Sequence, residues 1–292
     1  MKMDFCENAK FNEISLEGAV KIGIGAHSIA YRFARDKIVK AYHSRVTLED
    51  IEREKACAEW AFANGIPTAR PYEIVRVGDG YGAVYEYIEG VLATDYIKKS
   101  SNHLRHYIRK SVELMKKVHA IEVSSGELPD RKLQTLSLVD VCGNYLPSGV
   151  CDDLKELVEK IPDRSNLLHG DVHVRNVMLR DDELILLDME TLSTGDPIFD
   201  LSAICNVYKE YPAVASRAAM RLGIDVKTAY HIWYHTLSEY LENAGEEEMR
   251  NVSRKARILG CIVILDLMDR FKEQPDREKF IDFSVREIET LL

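Results

Sequence analysis

The sequence is short of most features that would tie a chain to an oxidising compartment, a bilayer or a nucleic-acid backbone. Its six cysteines, Cys6, Cys57, Cys142, Cys151, Cys205 and Cys261, are scattered and form no C-x-x-C pair. In 292 residues they read as reduced, mostly buried thiols rather than as a disulfide framework or zinc site. The longest apolar run, Ile258 to Leu265, falls far below the ~20 residues that span a bilayer. The opening MKMDFCENAK carries two acidic residues and no apolar secretory segment. These absences predict a cytoplasmic protein with no membrane partner. Positive charge is also scarce, with a net charge of −9, which argues against a nucleic-acid partner. A nucleotide needs only a few local cations and stays possible. No G-x-x-x-x-G-K-[ST] occurs, so a P-loop is excluded.

What is present belongs to an ordinary globular chain, 46% apolar and 30% charged, long enough to bury a sizeable core. The first ninety residues are strand-rich. Ala19–Gly23, Ala30–Ala34 and Lys37–Tyr42 alternate or carry β-branched residues, separated by the turn signals Gly25-Ala26-His27-Ser28 and Arg35-Asp36. The period changes over Thr47 to Asn64, where Thr47 and Asp50 resemble a capping box and Gly65-Ile66-Pro67 supplies a stop. Strands near Tyr72–Val77 and Gly82–Tyr87 follow, joined by Gly78-Asp79-Gly80.

Glu89-Gly90 marks a shift in composition. Thr94 to Ile121 predicts one long helix with Leu104, Ile108, Met115 and Val118 on its apolar side. A hairpin is expected around Arg180-Asp181-Asp182. Beyond Ile198 the remainder reads as helical, interrupted at Pro212, Gly223-Ile224-Asp225, Gly245 and Pro275. The expected class is α+β: a small, mostly antiparallel-sheet lobe over residues 1–89, then a larger helical lobe over residues 90–292.

The stretch from Leu167 to Leu201 carries the chemistry. It sets His169-Gly170-Asp171 on a loop, Asn176 five residues after Asp171, and Asp188 at the end of the apolar segment Leu184–Leu187. Phosphoryl transfer asks for charge stabilisation on phosphate oxygens and an oriented nucleophile. Magnesium asks for hard oxygen ligands, which an Asn carbonyl and an Asp carboxylate provide. A separate carboxylate must reach the attacking hydroxyl. Asp171, Asn176 and Asp188 offer these three functions. As turn formers they have a blander reading, since Asp and Asn favour loops anyway; their ordered recurrence across some thirty residues argues against it.

This segment resembles the catalytic loop and metal-binding motif of the aminoglycoside phosphotransferase and choline kinase family, relatives of the protein kinases. The family pattern H-G-D-x-x-x-x-N, D-x-E or D-x-D, and G-D-P-x-x-D-L is matched by His169-Gly170-Asp171 with Asn176, by Asp188-Met189-Glu190, and by Gly195-Asp196-Pro197 with Asp200-Leu201. The resemblance implies a protein-kinase-like fold and a small-molecule kinase using ATP and Mg2+. In it Asp171 is the catalytic base, Asn176 and Asp188 hold the metal, and Asp200 anchors the catalytic loop. Lys40 then stands where a third strand presents a lysine to the α- and β-phosphates, and Glu54 is its partner. Gly23 and Gly25 would let backbone amides approach phosphate, with Ser28 as an extra donor. The backbones of Glu86 and Ile88, in Tyr85-Glu86-Tyr87-Ile88-Glu89-Gly90, would meet adenine at the hinge, placing ATP in a cleft.

Other patterns have plainer explanations. His231 and His235 are four apart on a predicted helix, yet no third metal ligand accompanies them. His103 and His106 are expected to face solvent, and Trp233, Tyr230, Tyr234 and Tyr240 to pack as core. Glu246-Glu247-Glu248 suits a helix N-terminus. His173 is expected to shape the catalytic loop. A protein kinase is disfavoured by Ser28 in place of a third loop glycine, by D-M-E in place of D-F-G, and by the lack of A-P-E. A nucleotide-binding regulator without small-molecule turnover is the alternative. The acceptor is expected to be a small hydroxyl compound resembling an aminoglycoside, choline or a sugar, with Glu190 and Asp196 suiting a cationic one.

Overall fold

The computed structural model describes residues 11–25 and 27–292; Cys6, Ala26 and the opening segment lie outside the described residues. The chain divides into two compact units. One comprises the residues up to Gly90 together with Ile185–Glu190, and the other Val91–Leu184 with Thr191–Leu292.

The first unit is built on an antiparallel sheet of β1 (Val20–Ile24), β2 (Ser28–Arg32), β3 (Lys37–Tyr42), β4 (Pro71–Val77) and β5 (Gly80–Glu86), ordered β1-β2-β3-β5-β4. Val39, Val75 and Val84 form its buried seam, flanked by Ile14, Leu16, Tyr31 and Phe33. Gly82 is required by that seam, because a β-carbon there would stand 2.6 Å from a Val39 methyl. Helix α1 (Leu48–Ala63) starts at Thr47, whose side chain and that of Asp50 close a reciprocal capping box. It buries Ile51, Glu54, Cys57, Ala58 and Ala61, a stripe at helical spacing with one carboxylate set among apolar neighbours. The segment Ile185–Glu190 joins this unit through the Leu186 amide, which donates to the Pro67 carbonyl at 2.7 Å.

The second unit is mostly helical. It opens with β6 (Val91–Leu92), α2 (Ala93–Ile97) and α3 (Ser101–His119). The single helix expected from Thr94 to Ile121 is therefore two. Ser100 adopts extended backbone and caps α3 by accepting from the His103 amide, within the polar stretch of residues 98–103 that separates Ile97 from Leu104. Then come α4 (Arg131–Cys142), α5 (Ser148–Glu159), β7 (Leu167–Leu168) and β8 (Val177–Arg180). Strand β9 (Glu183–Leu186) carries the chain into the first unit, and β10 (Ser193–Thr194) pairs with β7 on its return. Asp181 and Asp182, both with positive φ, turn the chain between β8 and β9.

The remainder is α6 (Ile198–Cys205), a π-turn at Asn206–Glu210, α7 (Tyr211–Val214), α8 (Arg217–Arg221), α9 (Val226–Tyr240), α10 (Glu246–Arg270) and α11 (Arg277–Leu291). Pro212 does not interrupt the helical path as its residue type predicts. It lies in the first turn of α7, where a missing N–H costs little. Helix α10 holds the longest apolar run and packs against α4, α6 and α11, with Ile258, Leu259, Ile262, Ile264 and Leu265 at most 1% exposed. Each such side chain contributes roughly 1.5–3 kcal/mol of burial. The five described cysteines are free and buried.

Candidate functional site

In the first unit the sequence of β3 brings Lys40 beside the one carboxylate on the buried stripe of α1. Lys40 Nζ lies 2.5 Å from Glu54 Oε1 and 3.4 Å from Asp188 Oδ1. Burial alone would push the Lys40 ammonium toward neutrality, but the Asp188 and Glu54 carboxylates outweigh it and hold the pKa above the ordinary lysine value. Tyr42 and Tyr85 stand close by. Burial, reinforced by the charge of Glu54, raises both phenols well above their usual range. Asp188 has φ +64, the left-handed region that a non-glycine residue seldom occupies. Carboxylate oxygens of Glu54, Asp188 and Glu190 lie within 4.8 Å of one another. The donor set is all hard oxygen, which suits magnesium rather than a thiophilic metal.

The nucleotide-contact residues expected from sequence fall in the same unit. The Gly25 amide donates to the Ser28 carbonyl at 2.8 Å, closing the β1–β2 turn. Ser28 opens β2 and is itself buried. Glu86 ends β5, its amide donating to the Arg70 carbonyl at 2.9 Å, and Ile88 is buried two residues on.

The second unit carries the H-G-D loop. Asp200, 2% exposed on α6, accepts the amides of His169 at 3.0 Å and Gly170 at 2.7 Å. Its other partner is His119, whose Nε2 is 3.0 Å away and whose Nδ1 meets the Tyr240 hydroxyl at 2.8 Å. Burial would raise the Asp200 carboxyl, yet the hydrogen bonds from His119 and the loop amide, with the His119 charge, leave it below the ordinary aspartate value. Thr191 Oγ1 donates to the His169 carbonyl at 2.6 Å, and Arg131 Nη2 reaches the Thr191 carbonyl at 3.3 Å.

Asp171 follows on this scaffold, its side chain 41% exposed and so open to a reactant. Asn176 Nδ2 donates to Asp171 Oδ2 at 2.8 Å and to the Asp171 carbonyl at 3.1 Å. Both bonds direct the Asn176 nitrogen at Asp171. The Asn176 amide donates to the His173 carbonyl at 2.8 Å, while His173 Nε2 stands 3.5 Å from Asp171 Oδ2. The expected site residues thus form two groups: Lys40, Glu54 and Asp188 in one unit, Asp171 and Asn176 in the other.

His103 and His106 depart from expectation. Both are partly buried, His103 on the Ser100 hydroxyl at 2.7 Å and His106 on Asp182 at 2.7 Å. Of the aromatics on α9, Trp233 is core while Tyr234 is 55% exposed. His231 and His235 rest ring against ring, centroids 4.1 Å apart. Arg131, His119 and Thr191 lie outside the motifs of the sequence. Only His119 left a trace there, as a polar residue in register with Ile108 and Met115 on the buried stripe of α3.

A sheet-based unit bearing a partly buried lysine–glutamate pair, with a helical unit bearing an anchored H-G-D loop, defines a protein of the protein-kinase-like fold. The family model described as the phosphotransferase enzyme family (APH) matches residues 19–235, and the chain belongs to that family. Among solved structures, the gentamicin complex of APH(2'')-IIa is similar at 19% identity and TM-score 0.58, covering 96% of this chain and 91% of that one. The ADP-bound aminoglycoside phosphotransferase APH(2'')-Ib is similar at 19% identity and TM-score 0.59, over 96% of this chain and 93% of that one. A choline/ethanolamine kinase family protein from Mesorhizobium loti is similar at 16% identity and TM-score 0.58, over 94% and 87%. Among curated proteins no sequence match is found.

Proposed function

We propose that this protein transfers the γ-phosphoryl group of ATP to a hydroxyl of a small, amine-bearing molecule, with magnesium as the required cation. The observation that carries this reading is the Lys40 ammonium held between Glu54 and Asp188. A partly buried cation flanked by two carboxylates at a strand centre serves no packing purpose, but it suits a nucleotide phosphate. The ADP and gentamicin named for two similar structures, and the choline/ethanolamine kinase relationship of a third, support a nucleotide donor and a cationic acceptor.

Asp171 accepts the proton of the acceptor hydroxyl as its oxygen bonds to the γ-phosphorus and the bond to the β–γ bridging oxygen breaks, releasing ADP. Asn176 fixes the Asp171 carboxylate in one rotamer through the 2.8 Å hydrogen bond. Lys40 binds donor phosphate oxygens, and Glu54 holds Lys40 extended toward them. Asp188 and Asn176 each offer a hard oxygen to magnesium, which when bound screens the negative charge of the β- and γ-phosphates. Ser28 and the Gly25 backbone contribute phosphate contacts, while Glu86 and Ile88 meet the base through their main chain.

The test is a magnesium-dependent nucleotide-consumption assay across aminoglycosides, choline, ethanolamine, homoserine and sugars. Acceptor-stimulated turnover is expected, and D171N should lower it by about three orders of magnitude while nucleotide binding persists. Full activity in D171N would overturn the assignment of the base. No thermal response to ATP with magnesium would overturn the reading as a whole.

A further inference from the structure

The catalytic loop is held at its centre as well as at its start. Val174 lies midway between Asp171 and Asn176 and is completely buried. Its amide donates to the Tyr208 hydroxyl at 2.8 Å. Its carbonyl accepts from the Thr94 amide at 3.1 Å, and the Thr94 hydroxyl lies 3.2 Å from that carbonyl and 3.2 Å from the Leu222 carbonyl. Both backbone groups of Val174 are therefore met by parts of the fold remote in sequence. Tyr107 on α3 is equally buried beside Tyr208 and is not one of these partners of the Val174 backbone.

Tyr208 belongs to the π-turn Asn206–Glu210, which directly continues the helix bearing Asp200. An inserted residue in one turn resets the face that later side chains present. The same continuous segment thus delivers Asp200 to the amides of residues 169 and 170 and Tyr208 to the amide of residue 174. The π-turn is pinned from both ends. Asn206 Nδ2 donates to the Gly260 carbonyl at 3.0 Å, in a space that only glycine leaves open. The fully buried Glu210 accepts from Lys209 at 2.9 Å and Arg257 at 3.0 Å. π-turns of this kind occur preferentially where a side chain must be re-aimed for function.

We infer that Tyr208 is a positioning residue for the transfer reaction, aimed by the π-turn so that its hydroxyl fixes the loop between Asp171 and Asn176. The inference rests on the catalytic reading of that loop given above. Without the Tyr208 acceptor the Val174 amide loses its partner, the loop shifts, and the Asp171 carboxylate departs from its attack geometry while the donor-binding residues stay in place.

Y208F keeps the ring and removes the hydroxyl. Y107F removes the neighbouring hydroxyl from an equally buried ring and leaves the Val174–Tyr208 bond intact. Y208F should lower kcat by about 10- to 100-fold, with the nucleotide KM changed by less than about two-fold. Y107F should leave kcat within about two-fold of the parent. Hydrogen exchange of the amides in residues 171–176, followed without any ligand, should accelerate in Y208F and not in Y107F. Equal kcat losses in the two variants, or unchanged exchange in Y208F, would overturn the inference. If the parent protein shows no turnover on any acceptor, the functional reading fails by itself, and the exchange comparison still decides whether Tyr208 holds the loop. If Y208F does not fold, G260A displaces Asn206 and with it the π-turn that aims Tyr208; an absence of accelerated exchange over residues 171–176 there would overturn the inference equally.

Discussion

Gly170 lies directly beneath the guanidinium of Arg131: a β-carbon on the glycine would stand 2.6 Å from Arg131 Nη2 and 2.8 Å from the Thr191 carbonyl. The glycine of the H-G-D triplet also has φ +83, so steric room and backbone sign demand the same residue. G170A should therefore lose about 2–4 kcal/mol of stability, from left-handed strain and overpacking together. Urea denaturation measures it. A variant as stable as the parent would mean that Arg131 yields without cost.

Removing the partner of Lys40 should separate nucleotide binding from folding. E54Q is expected to raise the nucleotide KM about ten-fold and to cost about 1–2 kcal/mol of stability, the pair being only partly withdrawn from water. Lys40 has a raised folded pKa, so its stabilising charge is fully present below the unfolded value of about 10.5 and lost only as pH rises through the higher folded value. The part of the E54Q deficit that depends on the lysine charge should be constant from pH 6 to 9. A deficit that vanishes by pH 8 would contradict a charged Lys40.

Asp200 has the opposite sign. Its folded pKa lies below the usual aspartate value near 3.8, so its contribution is present above that value and lost as pH falls through the lower folded one. The groups facing it are His119, His169 and Arg131, with Tyr240 beyond His119. D200N should be less stable than the parent by about 2–4 kcal/mol at neutral pH, and the difference should narrow below about pH 4. Denaturation midpoints of both proteins across the acid range decide this; a gap that stays open to pH 2 would exclude the ionised carboxylate as its source.

The π-turn can be disturbed from outside the loop. A methyl at Gly260 would overlap the amide of Asn206, so G260A should destabilise by about 1–3 kcal/mol and lower turnover more than nucleotide affinity. A-type controls elsewhere on α10, such as I258A, should lose stability with kcat in the surviving folded protein unchanged. Paired denaturation and kinetic measurements distinguish the two.

Local chemistry made much of this legible in advance. Lys37–Tyr42 is a strand because branched and aromatic residues alternate there, and Thr47 with Asp50 announces the start of α1 by a two-residue code that needs no tertiary help. Asp171, Asn176 and Asp188 stand out because their order and spacing are informative. What stayed hidden works through distant contact. Thr94, Arg131 and Tyr208 are ordinary residues in ordinary surroundings, and only the folded chain brings them to the backbone of residues 169–176. The π-turn is invisible for a related reason, since its five residues are too few for a shift in apolar period to register. The break at Ser100 lies in a wholly polar stretch, residues 98–103, where no apolar side chain marks either a continued or an ended helix.

The placement of Ile185–Glu190 has a consequence for how this architecture is divided or recombined. The first unit is written in two passages of the gene, separated by nearly a hundred codons that encode the other unit. A fragment ending at Gly90 would include Lys40 and Glu54 but not Asp188, and the Pro67 carbonyl would lose the Leu186 amide. No single crossover or truncation can therefore move the sheet-based unit intact. Exchange of the sheet-based unit between relatives by shuffling would need a second, six-residue segment carried along with the first ninety positions, and chimaeras made with one junction should bind nucleotide poorly even when both halves fold.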